Sequence, residues 1–227
     1  MRNIAKSLDS LHQKIAQIER RYGRKAGSVT LLAVSKTRSI QEIKAAIGYG
    51  QRDFGENYVQ EAVAKIISIK HPDLVWHFIG PVQSNKTRDI ATHFDWVHSV
   101  DRIKIVKRLN DARPDHLLPL NLCIQINISK EPTKGGIRVD ELEQFLAECS
   151  NLPAVRIRGL MTLPKPYDDF EQQRIPFHEL KKLFDKINTD DSGYDTLSMG
   201  TSHDYEAAIA EGSTIVRIGT AIFGTRT

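Results

Sequence analysis

Helical spacing of apolar residues recurs along this chain. The first stripe has spacings of four and three, typical of one face of an amphipathic helix, at Ile4, Leu8, Leu11, Ile15 and Ile18. Further stripes contain Val59, Ala62, Val63, Ile66 and Ile67; Ile103, Val106 and Leu109; Val139, Leu142, Phe145, Leu146 and Cys149; and Phe177, Leu180, Leu183, Phe184 and Ile187. We expect Asp101 to be the N-cap before Ile103, and Pro176 to be a first-turn proline before Phe177.

Apolar runs between the stripes predict strands. Several are continuously apolar, such as LNLCIQI and VRIRGLM, as is typical of parallel strands covered on both faces. The predicted strands span 30–35, 52–54, 74–79, 95–98, 120–126, 156–162, 195–199 and 214–218. Eight strands that alternate with helices favour a closed (β/α)8 barrel with an extra N-terminal helix, and an open doubly wound sheet is the alternative.

Composition narrows the class of protein. The 227 residues suffice for one large core, and no segment rich in Pro, Gly or Ser divides them. We therefore expect a single domain over 1–227, with the barrel using the chain as far as Arg226 and Thr227 and leaving no second domain. The 32 basic and 28 acidic residues give a net charge of +4 but are interspersed, so no nucleic-acid partner is expected.

The chain also lacks sequence signals for membranes and metals. No run approaches the roughly 18 apolar residues that a membrane span needs. The first helix lacks the continuous apolar core and the cleavage site of a signal peptide, and its Asp9 and Glu19 argue against a transit peptide. We expect a cytoplasmic protein with no membrane partner. Cys123 and Cys149 have no metal-ligand spacing, so we expect buried reduced thiols and no metal site.

One lysine follows the first predicted strand, in LLAVSK at 31–36. A lysine drawn into an apolar pocket has a lowered pKa, and its neutral amine can attack a carbonyl group. Because the carboxyl ends of barrel strands carry the working groups, Lys36 is a candidate for Schiff-base chemistry. The alternative is a lysine whose amine lies in solvent.

Two segments after the last predicted strands suggest a phosphate site. SMGTS at 198–202 precedes a helix expected to begin near His203 and Asp204, and backbone N–H groups and a hydroxyl at a helix N-terminus can bind an anion. The second segment is Arg217-Ile218-Gly219-Thr220, at the end of the last predicted strand. Here Gly219 lets a ligand approach the backbone, and Thr220 adds a hydroxyl. The alternatives are a capped helix start and a tight turn. Arg217, at the end of a buried strand, needs a partner, which is either a ligand or a structural salt bridge.

Three more residues have two interpretations each. Asn57 follows the second predicted strand and either donates into the barrel or caps the next helix. His77 lies in an apolar strand, where a core histidine is the alternative to a ligand. Met161 is by default a core side chain.

Several long motifs occur in order over nearly the whole chain. They are AVSKT at 33–37, FGENYVQE at 54–61, WHFIGPVQSNK at 76–86, INIS at 126–129, GLM at 159–161, SMG at 198–200, EAAIAEGST at 206–214 and VRIGTAIFG at 216–224. In these motifs the chain resembles the pyridoxal phosphate homeostasis proteins. The resemblance implies a single barrel of the alanine racemase N-terminal type, which is fold type III among proteins that bind pyridoxal 5'-phosphate (PLP), a form of vitamin B6.

The resemblance also implies a role for each candidate residue. By family position, Lys36 would hold PLP as an internal aldimine. The other implied residues are Ser202, Gly219 and Thr220 for the phosphate, Arg217 for the pyridine nitrogen, and Asn57, His77 and Met161 as pocket residues. Lys134 resembles a family lysine suggested as a secondary PLP contact, and a solvated loop lysine is the alternative.

The chain departs from the family pattern beside the phosphate segment. Thr201, His203 and Tyr205 stand where the family usually reads otherwise, whereas Ser202 and Asp204 remain. We therefore expect PLP binding with an altered affinity and a more polar pocket rim. His203 would add positive charge there at lower pH.

The implied function is PLP homeostasis without catalysis. An arginine at the pyridine nitrogen disfavours ring protonation and weakens the ring as an electron sink. Racemases also need acid and base groups on both faces of the substrate, which the related alanine racemases take from a second domain and a partner subunit. We expect a monomer that buffers PLP or delivers it to PLP-dependent apoenzymes. The alternatives are an amino-acid racemase and a Schiff-base aldolase without PLP.

Overall fold

Eight parallel strands close into a barrel in the computed structural model, which describes residues 3–131, 134–189 and 192–225. The strands are β1 Thr30–Val34, β2 Asp53–Glu56, β3 Val75–Phe78, β4 Trp96–Val100, β5 Leu120–Gln125, β6 Val155–Met161, β7 Thr196–Thr201 and β8 Ile215–Ile218. Each strand pairs with the next, and β8 pairs with β1. The closed barrel is confirmed. Arg226 and Thr227, named in the single-domain prediction, lie outside the described residues.

Helices cover the outside of this barrel. They are α1 Ile4–Arg21, α2 Ile40–Gly48, α3 Val59–Ile69, α4 Thr87–His93, α5 Ile103–Ala112, α6 Leu142–Cys149, α7 Phe170–Ile187, α8 Tyr205–Ala210 and α9 Thr220–Phe223, with 3-10 turns at Ser84–Lys86 and Val139–Glu141. The N-terminal helix α1 lies outside the β/α alternation and packs against α2, α8 and α9. Its predicted stripe is confirmed, because Leu8, Leu11, Ile15 and Ile18 are buried.

β7 extends beyond its predicted end. The pairing of β7 with β8 shifts register between Ser198 and Thr201, and Gly200 has a φ of 95°, which glycine adopts without steric cost. A Cβ on Gly200 would lie 2.6 Å from Cβ of Ala208. β7 continues through this irregularity to Thr201, so Ser202 is the first residue beyond the strand.

Two predicted helix starts were wrong. Pro176 lies inside α7, which begins at Phe170 after the side chain of Asp169 caps it. An aspartate at the N-cap is the stronger start signal, and the helix tolerates the one hydrogen bond that an internal proline removes. Asp101 does not cap α5, whose N-cap residue Arg102 makes no side-chain cap. The carboxylate of Asp101 instead accepts a hydrogen bond from Nε of Arg102.

The face that α3 presents to the barrel also differs from the predicted stripe. Ile67 is 51% exposed, whereas Val59, Ala62 and Lys65 are buried. A lysine on the buried face of a helix requires polar partners. The partners of Lys65 lie beside the functional site.

Cys123 and Cys149 are buried free thiols, as predicted. Burial raises the pKa of Cys123 to about 12 and that of Cys149 to about 11, so both remain protonated at neutral pH. Among the residues of the described ranges, no helix is both long and apolar enough to cross a membrane.

Candidate functional site

A cavity of about 320 Å³ opens where β1, β2, β7 and β8 end. The carboxyl ends of neighbouring strands meet here because the sheet is wholly parallel. Most of the residues predicted for the site line this cavity: Lys36, Asn57, Ser202, Arg217, Gly219 and Thr220. The structure thus brings a lysine, an arginine and two hydroxyls together from β1, β7 and β8 and the residues that follow them.

His77 and Met161 do not line this cavity. Both are buried, with 1% of His77 and none of Met161 exposed. Lys134 also lies elsewhere, and its Nζ donates a hydrogen bond to the carbonyl oxygen of Pro164 at 3.0 Å. The prediction that His77 and Met161 contact a ligand therefore has no support from the cavity lining.

Asn57 faces the cavity with an unsatisfied acceptor. Its Oδ1 is buried and has no hydrogen-bond partner among the described residues. Asn57 does not cap α3, because the N-cap position is Tyr58 and no side chain caps that helix. A buried polar atom without a partner costs about 1–3 kcal/mol, so a ligand that donates a hydrogen bond here would recover that free energy.

The turn between β7 and α8 is held by Asp204. Oδ1 of Asp204 accepts hydrogen bonds from the backbone N–H of Thr201 at 2.6 Å and from its hydroxyl at 2.8 Å. The Thr201 hydroxyl therefore strengthens the turn. Ser202 and His203 then line the cavity, and half-buried Tyr205 begins α8 and packs against the core. Of the three departures from the family pattern, His203 alone adds a titratable group to the rim.

Arg217 brings a buried positive charge to the cavity. Its Nη1 donates to Oγ of Ser198 at 2.7 Å, and its Nη2 donates to the carbonyl oxygen of Thr162 at 2.9 Å. Burial lowers the pKa of Arg217 to about 10, opposed by the negative charge of Asp204. The guanidinium thus stays charged at neutral pH. Its hydrogen bonds within the described chain go to neutral groups, so a salt bridge does not explain its burial.

A chain of hydrogen bonds runs from Arg217 through the barrel to Asp53. It consists of Nη1 of Arg217 to Oγ of Ser198 at 2.7 Å, Oγ of Ser198 to Nδ1 of His98 at 2.7 Å, Nε2 of His98 to Nδ1 of His77 at 2.9 Å, and Nε2 of His77 to Oδ1 of Asp53 at 3.1 Å. His77 is therefore connected to Arg217 through His98 and Ser198, without lining the cavity.

When both histidines are neutral, all hydrogen bonds of this hydrogen-bond chain donate in the same direction, from Arg217 towards Asp53. The carboxylate of Asp53 only accepts, so a neutral His77 carries its proton on Nε2 and accepts at Nδ1 from Nε2 of His98. A neutral His98 then accepts a hydrogen bond from the Ser198 hydroxyl at Nδ1, while the Ser198 oxygen accepts from Arg217. Burial, together with the nearby charges of His77 and Arg217, lowers the pKa of His98 well below its ordinary value of 6.5. Neutral His98 then donates from Nε2 to His77, which donates to the carboxylate of Asp53.

Asp53, His98 and Ser198 were not predicted from the sequence as members of this hydrogen-bond chain. His98 and Ser198 are 100 residues apart in sequence, and only the closed sheet brings them together. For His98 and Ser198 a usable signal was a polar residue in the middle of an apolar strand, since a buried polar side chain needs a partner.

Neutral, buried His98 predicts a loss of stability in acid. Its pKa in the folded state lies below the unfolded value, so below pH 6.5 the unfolded state binds more protons. The free energy of unfolding should fall by up to about 1.4 kcal/mol for each pH unit below that value, until the folded pKa is passed. Urea unfolding between about pH 7.5 and 5.5 measures this slope.

His98→Gln should reduce that slope, because glutamine does not titrate in this range. His12→Gln, at an exposed position of α1, is the matched control and should keep the slope. Equal slopes in both variants would show that His98 is not the group responsible.

The fold and the site define a barrel of the alanine racemase type. The family model described as alanine racemase, N-terminal domain, matches residues 7–227. Alanine racemase from Corynebacterium glutamicum shares the fold, with a TM-score of 0.65 and 16% identity over 96% of this chain and 62% of that chain. The pyridoxal phosphate homeostasis protein of Escherichia coli (strain K12) is 50% identical over 229 residues, covering 100% of this chain and 98% of that protein. The chain therefore belongs to the family of pyridoxal phosphate homeostasis proteins.

A solved structure supports the same assignment. PipY of Synechococcus elongatus, with PLP bound, has a TM-score of 0.83 and 36% identity, covering 97% of this chain and 100% of PipY.

Proposed function

We propose that this protein binds PLP covalently through Lys36 and acts in intracellular PLP homeostasis. The observation that carries the proposal is the set of groups around one cavity: an amine, a buried guanidinium, two hydroxyls and an unsatisfied amide oxygen. This set fits an anionic aromatic aldehyde. The name of the Escherichia coli relative and the PLP in the PipY structure agree with it.

Each group of the cavity has a counterpart on PLP. When bound, PLP supplies an aldehyde that bonds reversibly to an amine and a ring that withdraws electrons. Lys36 provides the amine, and Ser202 and Thr220 provide hydroxyl donors for a phosphate. Arg217 provides a fixed positive charge for a ring nitrogen, and Oδ1 of Asn57 can accept a hydrogen bond.

We propose that the protein does not turn over amino acids. Racemisation needs an acid and a base on opposite faces of the substrate. Besides Lys36, the titratable side chains among the described residues that line the cavity are Arg38, His203 and Arg217. An arginine side chain has no acceptor and does not take up a proton at neutral pH, and His203 lies beside the phosphate candidates, so a second acid or base is missing from the described lining.

Turnover is tested directly by exchange at Cα. Incubation of the PLP-loaded protein with a panel of amino acids in D2O should give no deuterium at Cα above the rate of free PLP. Exchange that depends on the protein would overturn the non-catalytic proposal in favour of a racemase.

The homeostatic role implies exchange of PLP with its surroundings. We propose a cytoplasmic monomer, acting as a single domain over 1–227, that releases PLP to PLP-dependent apoenzymes. Transfer of PLP to an apoenzyme, read as recovered enzyme activity, tests the delivery. Size-exclusion chromatography with light scattering tests the monomer.

An absorbance spectrum of the purified protein, before and after borohydride, tests the proposed function. A yellow protein that loses its band on reduction and then carries the cofactor's mass on a peptide containing Lys36 is expected. A colourless protein that cannot be loaded with added PLP would overturn the proposal and leave the Schiff-base aldolase as the better reading.

A further inference from the structure

A buried lysine lies behind the barrel wall next to the site. Lys65 on α3 has 6% of its side chain exposed. Its Nζ donates to the carbonyl oxygen of Ser35 at 2.8 Å, to Oε1 of Glu56 at 2.8 Å and to Oε1 of Glu61 at 2.5 Å. An ammonium group has three donors, so Lys65 uses all of them here. We call Lys65, Glu56 and Glu61 the Lys65 cluster.

The Lys65 cluster holds the residues on both sides of Lys36. On one side, the carbonyl oxygen of Ser35 accepts from Lys65, and the Ser35 hydroxyl donates to Oε1 of Glu56 at 2.6 Å. On the other side, the backbone N–H of Thr37 donates to Oε1 of Glu61 at 2.6 Å. The backbone before and after the reactive amine is therefore fixed by one set of charges.

The backbone that the cluster holds is in an uncommon conformation. Thr37 has a φ of 62°, and a β-branched residue in the left-handed region is unusual. Such a residue costs on the order of 1–3 kcal/mol and persists only where its surroundings enforce it. The hydrogen bond from Thr37 to Glu61 supplies that constraint, one residue after Lys36.

We propose that the Lys65 cluster positions Lys36 for bond formation with the cofactor. In this step the neutral amine of Lys36 attacks the aldehyde carbon, a carbon–nitrogen double bond forms, and the aldehyde oxygen leaves as water with the two amine hydrogens. None of the three cluster residues lines the cavity, so their role is positioning. The proposal rests on the proposed function.

The free-energy cost of burying these charges indicates that the Lys65 cluster has a role other than stabilising the fold. Burying an ion pair costs desolvation free energy that the attraction between the charges only partly offsets, and apolar residues of similar size often stabilise a protein as well or better. Burial also raises the pKa of Glu56, opposed by the positive charge of Lys65. A fixed geometry around a reacting group is worth a large rate factor, which gives the cluster a function that apolar packing could not provide.

Glu61 is the residue to change, because its side chain is 31% exposed and its loss leaves the Lys65–Glu56 pair intact. Glu61→Ala should slow the formation of the borohydride-stable bond by about tenfold or more, while the total PLP bound at saturation changes by less than about twofold. Glu61→Gln keeps an acceptor for Thr37 and should retain most of the rate. Gln60→Ala, on the exposed face of α3, is the matched control.

Three measurements on the full chain separate the outcomes. They are equilibrium dialysis for total PLP, rapid-mixing absorbance for bond formation, and the melting temperature. Unchanged bond formation in Glu61→Ala, with only a lower melting temperature, would show a structural role and overturn positioning. Failure of the wild-type protein to form any bond at Lys36 would overturn the proposed function, and the positioning proposal with it.

Discussion

Lys36→Ala is expected to abolish the covalent attachment of PLP completely. The cavity would still contain Ser202, Thr220 and Arg217, so PLP should bind without a covalent bond. We expect the affinity to fall by at least about tenfold, since one covalent contact is lost and the phosphate contacts remain. Borohydride reduction followed by peptide mass analysis measures the covalent fraction, and equilibrium dialysis measures the remaining affinity.

Lys44→Ala is the matched control for this prediction. Lys44 is an exposed lysine on α2, and its loss should leave the covalent fraction unchanged. A borohydride-stable adduct that persists undiminished in Lys36→Ala would assign the attachment to another amine.

Gly159→Ala is expected to have the largest effect on stability. Gly159 in β6 has a φ of 154°, and a Cβ there would lie 1.8 Å from the carbonyl oxygen of Thr196 in β7. Both the backbone and its pairing with β7 would have to move, so the free energy of unfolding should fall by about 4 kcal/mol or more. Since that is a large part of the stability of a typical domain, urea unfolding should show a strongly shifted midpoint or an unfolded protein.

Gly48→Ala is the control glycine substitution. A Cβ at Gly48, the last residue of α2, would meet no heavy atom within 4 Å, and its φ is not positive. The change should be neutral or stabilising by up to about 1 kcal/mol. Similar losses in Gly159→Ala and Gly48→Ala would contradict the steric explanation.

The strands were predictable because their physics is local. Runs such as LNLCIQI are rich in apolar residues, and the strand β5 within this run is mostly buried, as a strand between barrel interior and helices must be. One boundary that failed depends on a longer-range contact, because β7 continues to Thr201 through a register shift against β8. The other was a local signal that the sequence did contain, because α7 begins at the Asp169 cap, well before Pro176.

The cavity residues were predictable for a different reason. In a parallel barrel every strand delivers its carboxyl end to the same face, so Lys36, Ser202 and Thr220 could be placed together without coordinates. The supporting residues could not be placed this way. Lys65 lay outside the predicted apolar stripe of α3, and His98 meets Ser198 only because the sheet closes.

The two strands whose pairing closes the barrel, β1 and β8, are each followed by residues that line the cavity. Lys36 follows β1, Gly219 and Thr220 follow β8, and the two strands pair from Thr30 with Ile215 to Ala33 with Ile218. Lys36 is therefore synthesised long before Gly219 and Thr220, the proposed phosphate ligands. By the proposed function, PLP contacts residues that follow both the first and the last strand, so it binds the closed barrel in preference to the unfolded chain. Such a ligand raises the free energy of unfolding with the logarithm of its concentration once that concentration exceeds the dissociation constant.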